Sequence, residues 1–242
     1  MNETKPKILF VYYTYTKQTL KVVEAMSETL RERGCEVQQA QIDLTDKRYT
    51  ARFHEFPMPH AFREVLAMIP AEIFRKTGEI SIPDEARGGD YDLVVIGSPT
   101  WWLSTDLPVR SYLESDAAGT LLSGKRFAAF VVCRRYFGHN LRTVKKLATK
   151  KGGTYLDSTH FSYQGGQITS LLSLISYLGS GEYRDRFLGV KIPLTNIQDY
   201  HLKAAREFAG GLADRLDANG SPSGRFSPSP DREGDRLGSA PE

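Results

Sequence analysis

The chain has 242 residues, 40% of them apolar and 25% charged, which is typical of a folded globular protein and excludes disordered and fibrous classes. Its two cysteines, Cys35 and Cys133, lie far apart, so we expect neither a disulfide framework nor a metal site. Residues 1–216 carry 29 basic and 24 acidic side chains, a net charge of +5 without long basic blocks, which argues against a nucleic-acid-binding protein.

The N-terminus moves into an apolar strand without the longer apolar stretch of a signal peptide, and no apolar run reaches membrane-spanning length. We therefore expect a cytoplasmic protein with no membrane span. A reducing compartment also agrees with the low cysteine count.

The first 44 residues predict a strand, a helix and a second strand. Lys7 to Tyr13 is a continuous apolar run, which is typical of a strand buried on both faces of a parallel sheet. Apolar residues recur at helical spacing from Leu20 to Leu30, and Gly34 marks the end of this helix. Cys35 to Leu44 alternates loosely, so the start of the chain forms a βαβ unit.

Residues 45–90 form an insert, because they are too many for an ordinary connection between two such elements. The insert begins with a segment rich in proline and phenylalanine. Its second half has an apolar stripe at helical spacing, interrupted by Pro70, which comprises Phe62, Val65, Leu66, Ile69 and Ile73. Two interpretations are open: a helix packed on the core of the domain, or a lid or dimer contact over a ligand site.

Three further strands are predicted: Tyr91 to Gly97 and Arg126 to Cys133 are apolar runs, and Thr154 to Tyr163 follows the pair Gly152-Gly153. Helical patterns separate them, and a last helix ends near Leu216. Because 13 of the final 26 residues are Gly, Ser or Pro, we expect a single domain over residues 1–216 and a disordered tail over 217–242. Strands alternating with helices predict an α/β fold with a parallel sheet, in which ligands bind beyond the carboxyl ends of the strands.

The loop after the first strand carries Thr14, Thr16 and Thr19 in the spacing T-x-T-x-x-T, directly before a helix. Hydroxyls there can donate to a phosphate, which the positive end of the helix dipole also favours. The alternative is that these threonines only cap the helix. The loop lacks the glycines of dinucleotide and ATP-binding motifs, which argues against NAD or ATP as the primary ligand.

Aromatic residues follow the third and fourth strands. A turn-forming segment from Ser98 ends in Trp101 and Trp102, whose indoles can either pack in the core or stack on a planar ring. Residues 134–138 bring two arginines and two aromatic side chains to the same edge of the sheet, although two adjacent arginines more often form a solvated surface than a site.

Together, the strand-TxTxxT-helix start, the segment Gly97 to Trp102 and the aromatic third loop resemble the flavodoxin-like superfamily over about residues 7–216. The resemblance implies a doubly wound sheet of five parallel strands in the order 2-1-3-4-5, with helical inserts after strand two and within or after strand five. It also implies an FMN cofactor, with the phosphate on the first loop, Trp101 stacked on the flavin ring and the third loop on its other side. The family usually has Gly where Lys17 stands.

Carried over residue by residue, the resemblance implies eighteen cofactor-binding residues and leaves the catalytic residues unknown. They are Thr14, Tyr15, Thr16, Lys17, Gln18, Thr19, Ser98, Pro99, Thr100, Trp101, Trp102, Leu103, Cys133, Arg134, Arg135, Tyr136, Phe137 and Gly138.

The insert and the segment Tyr177 to Pro193 are similar to a flavodoxin-like subgroup known as dialkylresorcinol condensing enzymes. Condensation needs a nucleophile or a base, and Cys133 is the candidate thiol at the sheet edge, although a cysteine at a strand end is usually a small buried apolar residue.

Three functions are open. The first is an FMN-dependent oxidoreductase that passes hydride from NAD(P)H to a quinone, a flavin or another small organic acceptor. The second is a flavodoxin-type electron-transfer protein that serves redox proteins, and the third is a flavin-free binding or scaffold protein. Electron-carrier flavodoxins are acidic, whereas residues 1–216 have a net charge of +5 and two arginines in the third loop, which favours the enzyme. Members of the family often pair, so the resemblance leaves a homodimer open, and the sequence does not give the oligomeric state.

Overall fold

A computed structural model describes residues 5–53, 55–102, 104–134, 137–163 and 165–220. The strands are β1 (Lys7–Tyr12), β2 (Glu36–Gln41), β3 (Asp43–Leu44), β4 (Ile80–Ser81), β5 (Leu93–Trp101), β6 (Ser104–Thr105), β7 (Arg126–Cys133), β8 (Thr154–Ser162), β9 (Arg186–Phe187) and β10 (Val190–Lys191). The helices are α1 (Gln18–Glu32), α2 (Lys47–Phe53), α3 (Ala61–Ala67), α4 (Ile69–Ile73), α5 (Leu107–Glu114), α6 (Asp116–Leu122), α7 (Gly138–Lys150), α8 (Gln167–Ser180) and α9 (Asp199–Gly220).

Five parallel strands form the central sheet in the order β2-β1-β5-β7-β8. Ile8 of β1 lies opposite Val37 on one side and Leu93 on the other, so β1 is the strand at which the order reverses. Numbered along the chain, the five strands have the order 2-1-3-4-5, which confirms the prediction. Because the first crossover leads from β1 outward and the later strands lie on the other side of β1, the loops after β1 and β5 flank the switch point.

Each face of the sheet is covered by helices, as the alternation along β1 requires. Ile8 and Phe10 are completely buried in a cluster that contains residues of α1 and α9, among them Val22 and Leu212. Leu9 is buried on the opposite face, against α5, α6 and α7. These two helical layers cover the faces of the sheet, and other elements contact the carboxyl ends of its strands.

The insert closes on itself through a two-stranded neck. Strand β3 pairs antiparallel with β4, and the amides of Thr45 and Asp46 both donate to the carbonyl of Glu79 at 3.0 Å. The buried carboxylate of Asp46 accepts the Glu79 amide at 3.1 Å, and its bonds to Arg48 are the largest influence that keeps its pKa well below the usual range. Helices α2, α3 and α4 are therefore held on a defined stem.

The apolar stripe of the insert does not form one buried helical face. Pro70 lies in the first turn of α4, so the stripe is divided between α3 and α4. Phe62, Leu66 and Ile73 are 60%, 42% and 68% exposed, whereas Met68 is buried. The interpretation as a single core-packed stripe was wrong for these three residues, and the homodimer contact stays a prediction.

Three boundaries differ from those predicted. The second strand leaves the sheet after Gln41, because Asp43–Leu44 pairs with the end of the insert. Strand β5 continues to Trp101 where a turn was predicted, because Thr100 and Trp101 pair with β6. Helix α9 runs to Gly220, beyond the predicted start of the tail at residue 217, and residues 221–242 lie outside the described part.

A helical segment follows β8, as the resemblance implied: it is α8, which carries the serine- and leucine-rich stretch from residue 167. Within the described residues, no helix has the length and apolar character needed to cross a membrane.

Candidate functional site

The loop between β1 and α1 leaves polar groups without partners among the described residues. Lys17 occupies the N-cap position of α1, and the helix start receives no side-chain capping bond. The Oγ1 of Thr14 is buried and has no hydrogen-bond partner among the described residues. The interpretation that these threonines only cap the helix is therefore wrong. An unpaired buried hydroxyl beside a free helix N-terminus is the arrangement that binds an anion such as a phosphate.

The backbone of Lys17 has a conformation that glycine adopts more easily than lysine. Its φ of 59° and ψ of 10° lie in the left-handed region, which L-residues other than Asn and Asp rarely adopt. Its side chain is exposed, so the lysine gains no packing that offsets this conformation. The loop keeps the backbone that glycine would give and adds a positive charge at its rim.

We expect Lys17→Gly to be more stable than Lys17→Ala by about 1 kcal/mol, because only glycine relieves the left-handed strain. Urea unfolding of the two apoproteins measures the difference. Equal stability of the two variants would contradict the left-handed conformation. The alanine variant is the matched control, since it removes the same amine and the same methylene groups beyond Cβ.

The loop after β5 is fixed by a buried polar network behind it. Asn140 is fully buried, and its amide nitrogen donates to the carbonyl of Pro99 at 3.2 Å and to Oγ1 of Thr100 at 3.0 Å. Ser98 donates to the carboxylate of Asp106 at 2.7 Å and faces this network. Ser98 is therefore part of the buried network that fixes this loop.

Asp106 is completely buried at the N-cap of α5, where its carboxylate accepts the amide of Val109 at 2.9 Å. Burial raises the pKa of Asp106 to about 7, although the bonds from Ser98 and Val109 act in the opposite direction. Between about pH 4 and pH 7 the unfolded chain loses this proton and the folded chain keeps it, so the free energy of unfolding falls as pH rises.

Asp106→Asn is expected to remove this pH-dependent loss, because asparagine stays neutral and is an equally good N-cap. The slope of the unfolding free energy against pH should become less negative by up to about 1.4 kcal/mol per pH unit between pH 5 and pH 7. Urea titrations of the wild type and the variant at several pH values measure the difference. Parallel curves would show that Asp106 is ionised in the folded protein throughout this range.

A buried ion pair joins the insert to the hairpin of β5 and β6. Arg110 and Glu72 are each 1% exposed, and their closest nitrogen and oxygen are 2.9 Å apart. The same guanidinium donates to Oγ of Ser104 at 2.9 Å and to the carbonyl of Thr105. Burial raises the pKa of Glu72 to about 7 against the opposing effect of Arg110. The pair holds α4 against the strand end that carries the tryptophans.

The loop after β7 carries two arginines that were predicted to lie at the site, and the structure describes the first of them. Arg134 lies at the sheet edge and its Nη1 donates to Oγ of Ser170 on α8 at 3.2 Å. Cys133 is buried, and burial raises the pKa of its thiol to about 12. Phe137 stacks on His160 of β8, with ring centroids 3.4 Å apart. Arg135, Tyr136 and Leu103 lie outside the described residues.

All three loops border one cavity of about 150 Å³ at the carboxyl edge of the sheet. Eleven of the predicted residues line it: Thr14, Tyr15, Thr16, Gln18, Thr19, Pro99, Thr100, Trp101, Trp102, Cys133 and Arg134. Lys17, Ser98, Phe137 and Gly138 are not part of its described wall. The structure therefore brings residues of all three predicted loops together on the inner wall of one cavity, and their role in binding a cofactor stays a prediction.

The outer wall comes from the insert, for which a lid over a ligand site was one of the open interpretations, and from α8, which the sequence analysis did not predict as part of the site. The insert contributes Phe53, Met58, Glu64, Val65 and Met68, and α8 contributes Leu171, Leu174, Tyr177 and Leu178. Direct bonds close this wall: the Met58 amide donates to the carbonyl of Leu178 at 2.6 Å, and Nε1 of Trp102 donates to the carbonyl of Val65 at 3.2 Å. The aromatic and proline content of the insert was the available signal.

Phe53 stacks on one face of Trp101. Their ring centroids are 4.7 Å apart and the planes differ by 13°, while Tyr13 meets the indole edge-on at 5.6 Å. Tyr15 packs edge-on against Phe53, and its hydroxyl donates to the carbonyl of Glu55. A planar ligand on that face of Trp101 would take the place of Phe53. Stacking of Trp101 on a flavin stays a prediction.

No protein-family profile matches the sequence. Among curated proteins, a segment of 74 residues, 31% of this chain, is 35% identical to a component of the A-type ATP synthase of Methanopyrus kandleri. This chain spans 7% of the length of that protein.

Solved structures of similar architecture include two flavin-related proteins. A flavoprotein from Lactobacillus acidophilus in complex with FMN is 17% identical, with 64% of this chain and 93% of that one covered and a TM-score of 0.48. An archaeal flavodoxin is 12% identical, with coverages of 87% and 99% and a TM-score of 0.49. The strand order of the central sheet, rather than these scores, decides the assignment. This chain has the flavodoxin-like fold.

Proposed function

We propose that this chain binds FMN and acts as an oxidoreductase that takes hydride from NAD(P)H and reduces a small organic acceptor such as a quinone or a flavin. The observation that carries the proposal is the cavity at the switch point. It joins the uncapped N-terminus of α1 to an aromatic wall, and the insert and α8 line its outer side.

The chemistry of the cavity fits FMN at both ends. At one end, Thr14 has a buried hydroxyl without a described partner and α1 begins without a side-chain cap, as a phosphate monoester requires. At the other end, Trp101, Trp102 and the backbone of Pro99 to Thr100 provide the flat, largely apolar surroundings of a heteroaromatic ring. Bound FMN supplies the ring that accepts hydride and releases electrons.

The chain's own residues bind, orient and shield. The threonine loop anchors the phosphate, and Asn140 fixes Thr100 from behind, so the ring edge has a defined position. The insert and α8 shield the outer side of the cavity. For a quinone acceptor the balance is NAD(P)H, one proton and the quinone giving NAD(P)⁺ and the hydroquinone, in which both hydroxyl oxygens are protonated.

Covalent condensation chemistry has weaker support at this site. Cys133 lines the cavity, yet burial holds its pKa at about 12, so the thiol is protonated near neutral pH and is a poor nucleophile. Tyr15 has a pKa raised to about 12 by burial and is likewise neutral. The site therefore supports redox chemistry better than condensation.

An electron carrier needs the flavin edge to be accessible to a protein partner. In this chain the insert contacts α8 through Met58 and Leu178, and together they form an outer wall over one side of the cavity. The net charge of +5 over residues 1–216 also differs from the acidic surface of electron carriers. Both features support a small-molecule acceptor.

The test is anaerobic reduction of the FMN-loaded protein. We expect NADH or NADPH to bleach the visible absorbance of the bound flavin directly and completely. A quinone added afterwards should restore the absorbance. Bleaching that requires a separate flavoprotein reductase would overturn the enzyme in favour of the carrier.

A further inference from the structure

We propose that a second cavity, beside the start of α3 and the end of α8, binds a small phosphate monoester that carries an aromatic group. The cavity has a volume of about 470 Å³, which is the size of a typical small-molecule site. Among the described residues, it shares no lining side chain with the cavity at the switch point. It is therefore separate from the site of the proposed function.

Helix α8 lines the two cavities with different faces. Leu174 and Leu178 lie one turn apart on the face that borders the cavity at the switch point. Ile175 and Gly179 lie one turn apart on another face, which borders the second cavity. A ligand in the second cavity would thus contact α8 without entering the predicted flavin site.

The second cavity has a basic rim. Three basic side chains and no acidic one line it within the described part of the chain: His60, Arg63 and Arg184. Arg63 is 84% exposed, and its Nε lies 4.0 Å from an oxygen of Glu64. Arg184 lies 3.3 Å from Glu182 in a pair that is also exposed. Because exposed pairs of this kind contribute little to stability, both guanidinium groups can turn to a bound anion at small cost.

A buried hydroxyl lies on the α8 side of the same cavity. Ser176 lines the cavity and is 3% exposed, and its Oγ has no hydrogen-bond partner among the described residues. A buried hydroxyl without a partner is costly, and most such groups in folded proteins are bonded. An oxygen of a bound oxyanion would supply the acceptor that this hydroxyl lacks.

Two phenylalanines place apolar surface next to these polar groups. Phe62 is 60% exposed at the start of α3, and Phe187 packs on the cluster that contains Met58 and Leu178. Such a cavity fits a ligand with an anion at one end and a flat ring at the other. A phosphate monoester has a charge of about −1.5 to −2 at pH 7, so it matches two guanidinium groups better than a carboxylate does.

A ligand in this cavity would join the insert to α8 and the segment that follows it. Arg63 belongs to the insert, whereas Ser176 and Arg184 belong to α8 and the segment after it. The amide of Met58, close to this cavity in sequence, donates to the carbonyl of Leu178 at 2.6 Å. We therefore expect the bound ligand to slow hydrogen exchange of the amides of residues 58–64.

The experiment is a calorimetric titration of the full-length Thr14→Val protein with phenyl phosphate. The substitution weakens the other candidate phosphate site, the loop before α1, so that the second cavity dominates the signal. We expect one phenyl phosphate per chain. Inorganic phosphate should bind about tenfold more weakly, because it lacks the ring that contacts the apolar wall. Phenol, which lacks the anion, should also bind more weakly.

Two double variants with the same change of charge localise the site. Arg63→Met with Arg184→Met should weaken phenyl phosphate binding at least tenfold. Arg33→Met with Arg206→Met removes two arginines from exposed pairs on α1 and α9 and should leave the affinity unchanged. Ser176→Ala should weaken binding about fivefold without loss of stability, because its hydroxyl has no described partner in the absence of ligand.

Three results would overturn this site: no binding of phenyl phosphate, an equal loss of affinity in both double variants, or slower hydrogen exchange at residues 14–19 in place of residues 58–64. These measurements need no FMN, so their failure leaves the proposed function standing. A protein that does not bind FMN but binds phenyl phosphate through Arg63 and Arg184 would contradict the proposed function and support the second site.

Discussion

Thr14→Val is expected to weaken FMN binding by at least tenfold while leaving the apoprotein as stable as the wild type or more stable. The hydroxyl of Thr14 is buried without a described partner, so its removal relieves an unpaired polar group in the apoprotein. In the complex the same hydroxyl donates to a charged phosphate, and such a bond contributes about 1.5–3 kcal/mol. Fluorescence titration gives the affinity, and urea unfolding of the apoprotein gives the stability.

Thr29→Val is the matched control for this change. Thr29 lies on α1, away from the loop, and its hydroxyl donates to the carbonyl of Ala25 at 3.2 Å. FMN affinity should be unchanged in this variant. If Thr14→Val binds FMN as tightly as the wild type, the first loop does not hold the phosphate in the proposed way.

Arg110→Met should reduce the free energy of unfolding by about 3–5 kcal/mol, the largest stability effect that we expect in this chain. The substitution leaves the carboxylate of Glu72 buried at 1% exposure without its partner at 2.9 Å. The loss should be smaller at pH 5 than at pH 8, because burial raises the pKa of Glu72 and a protonated carboxyl is less costly to bury.

Two controls separate the buried charge from the loss of an arginine. The double variant with Arg110→Met and Glu72→Met should recover most of the stability, since it leaves no unpaired charge in the protein. Arg33→Met removes a pair with Asp214 whose side chains are 50% and 63% exposed, and it should cost less than about 1 kcal/mol. An equal loss in all three proteins would contradict a specific contribution of the buried pair.

The central sheet could be predicted because its signals are local. The inner strands β1, β5 and β7 are short apolar runs that are largely buried on both faces, and helical periodicity separates one strand from the next. Strand β7, for example, has the predicted bounds of Arg126–Cys133. Residues at the carboxyl ends of neighbouring strands necessarily meet, so the three loops could be assigned to one edge.

The outer wall of the site could not be predicted in the same way, because it depends on contacts between distant parts of the chain. Phe53 meets Trp101, and Met58 meets Leu178, across 48 and 120 residues. The extension of β5 to Trp101 likewise depends on pairing with β6 rather than on the Ser-Pro-Thr sequence, which by itself favours a turn. The conformation of Lys17 also depends on the fold, because its positive φ is unusual for lysine and is not predicted by the residue type.

The measurement that tests the account most directly is a titration of the purified apoprotein with FMN, followed by tryptophan fluorescence. Because Trp101 and Trp102 are the chain's two tryptophans and both line the cavity, FMN in the proposed site must quench most of the signal. We predict saturation at one FMN per chain, and release of the flavin on unfolding. Unchanged fluorescence at saturating FMN would contradict the assignment of this cavity as a flavin site.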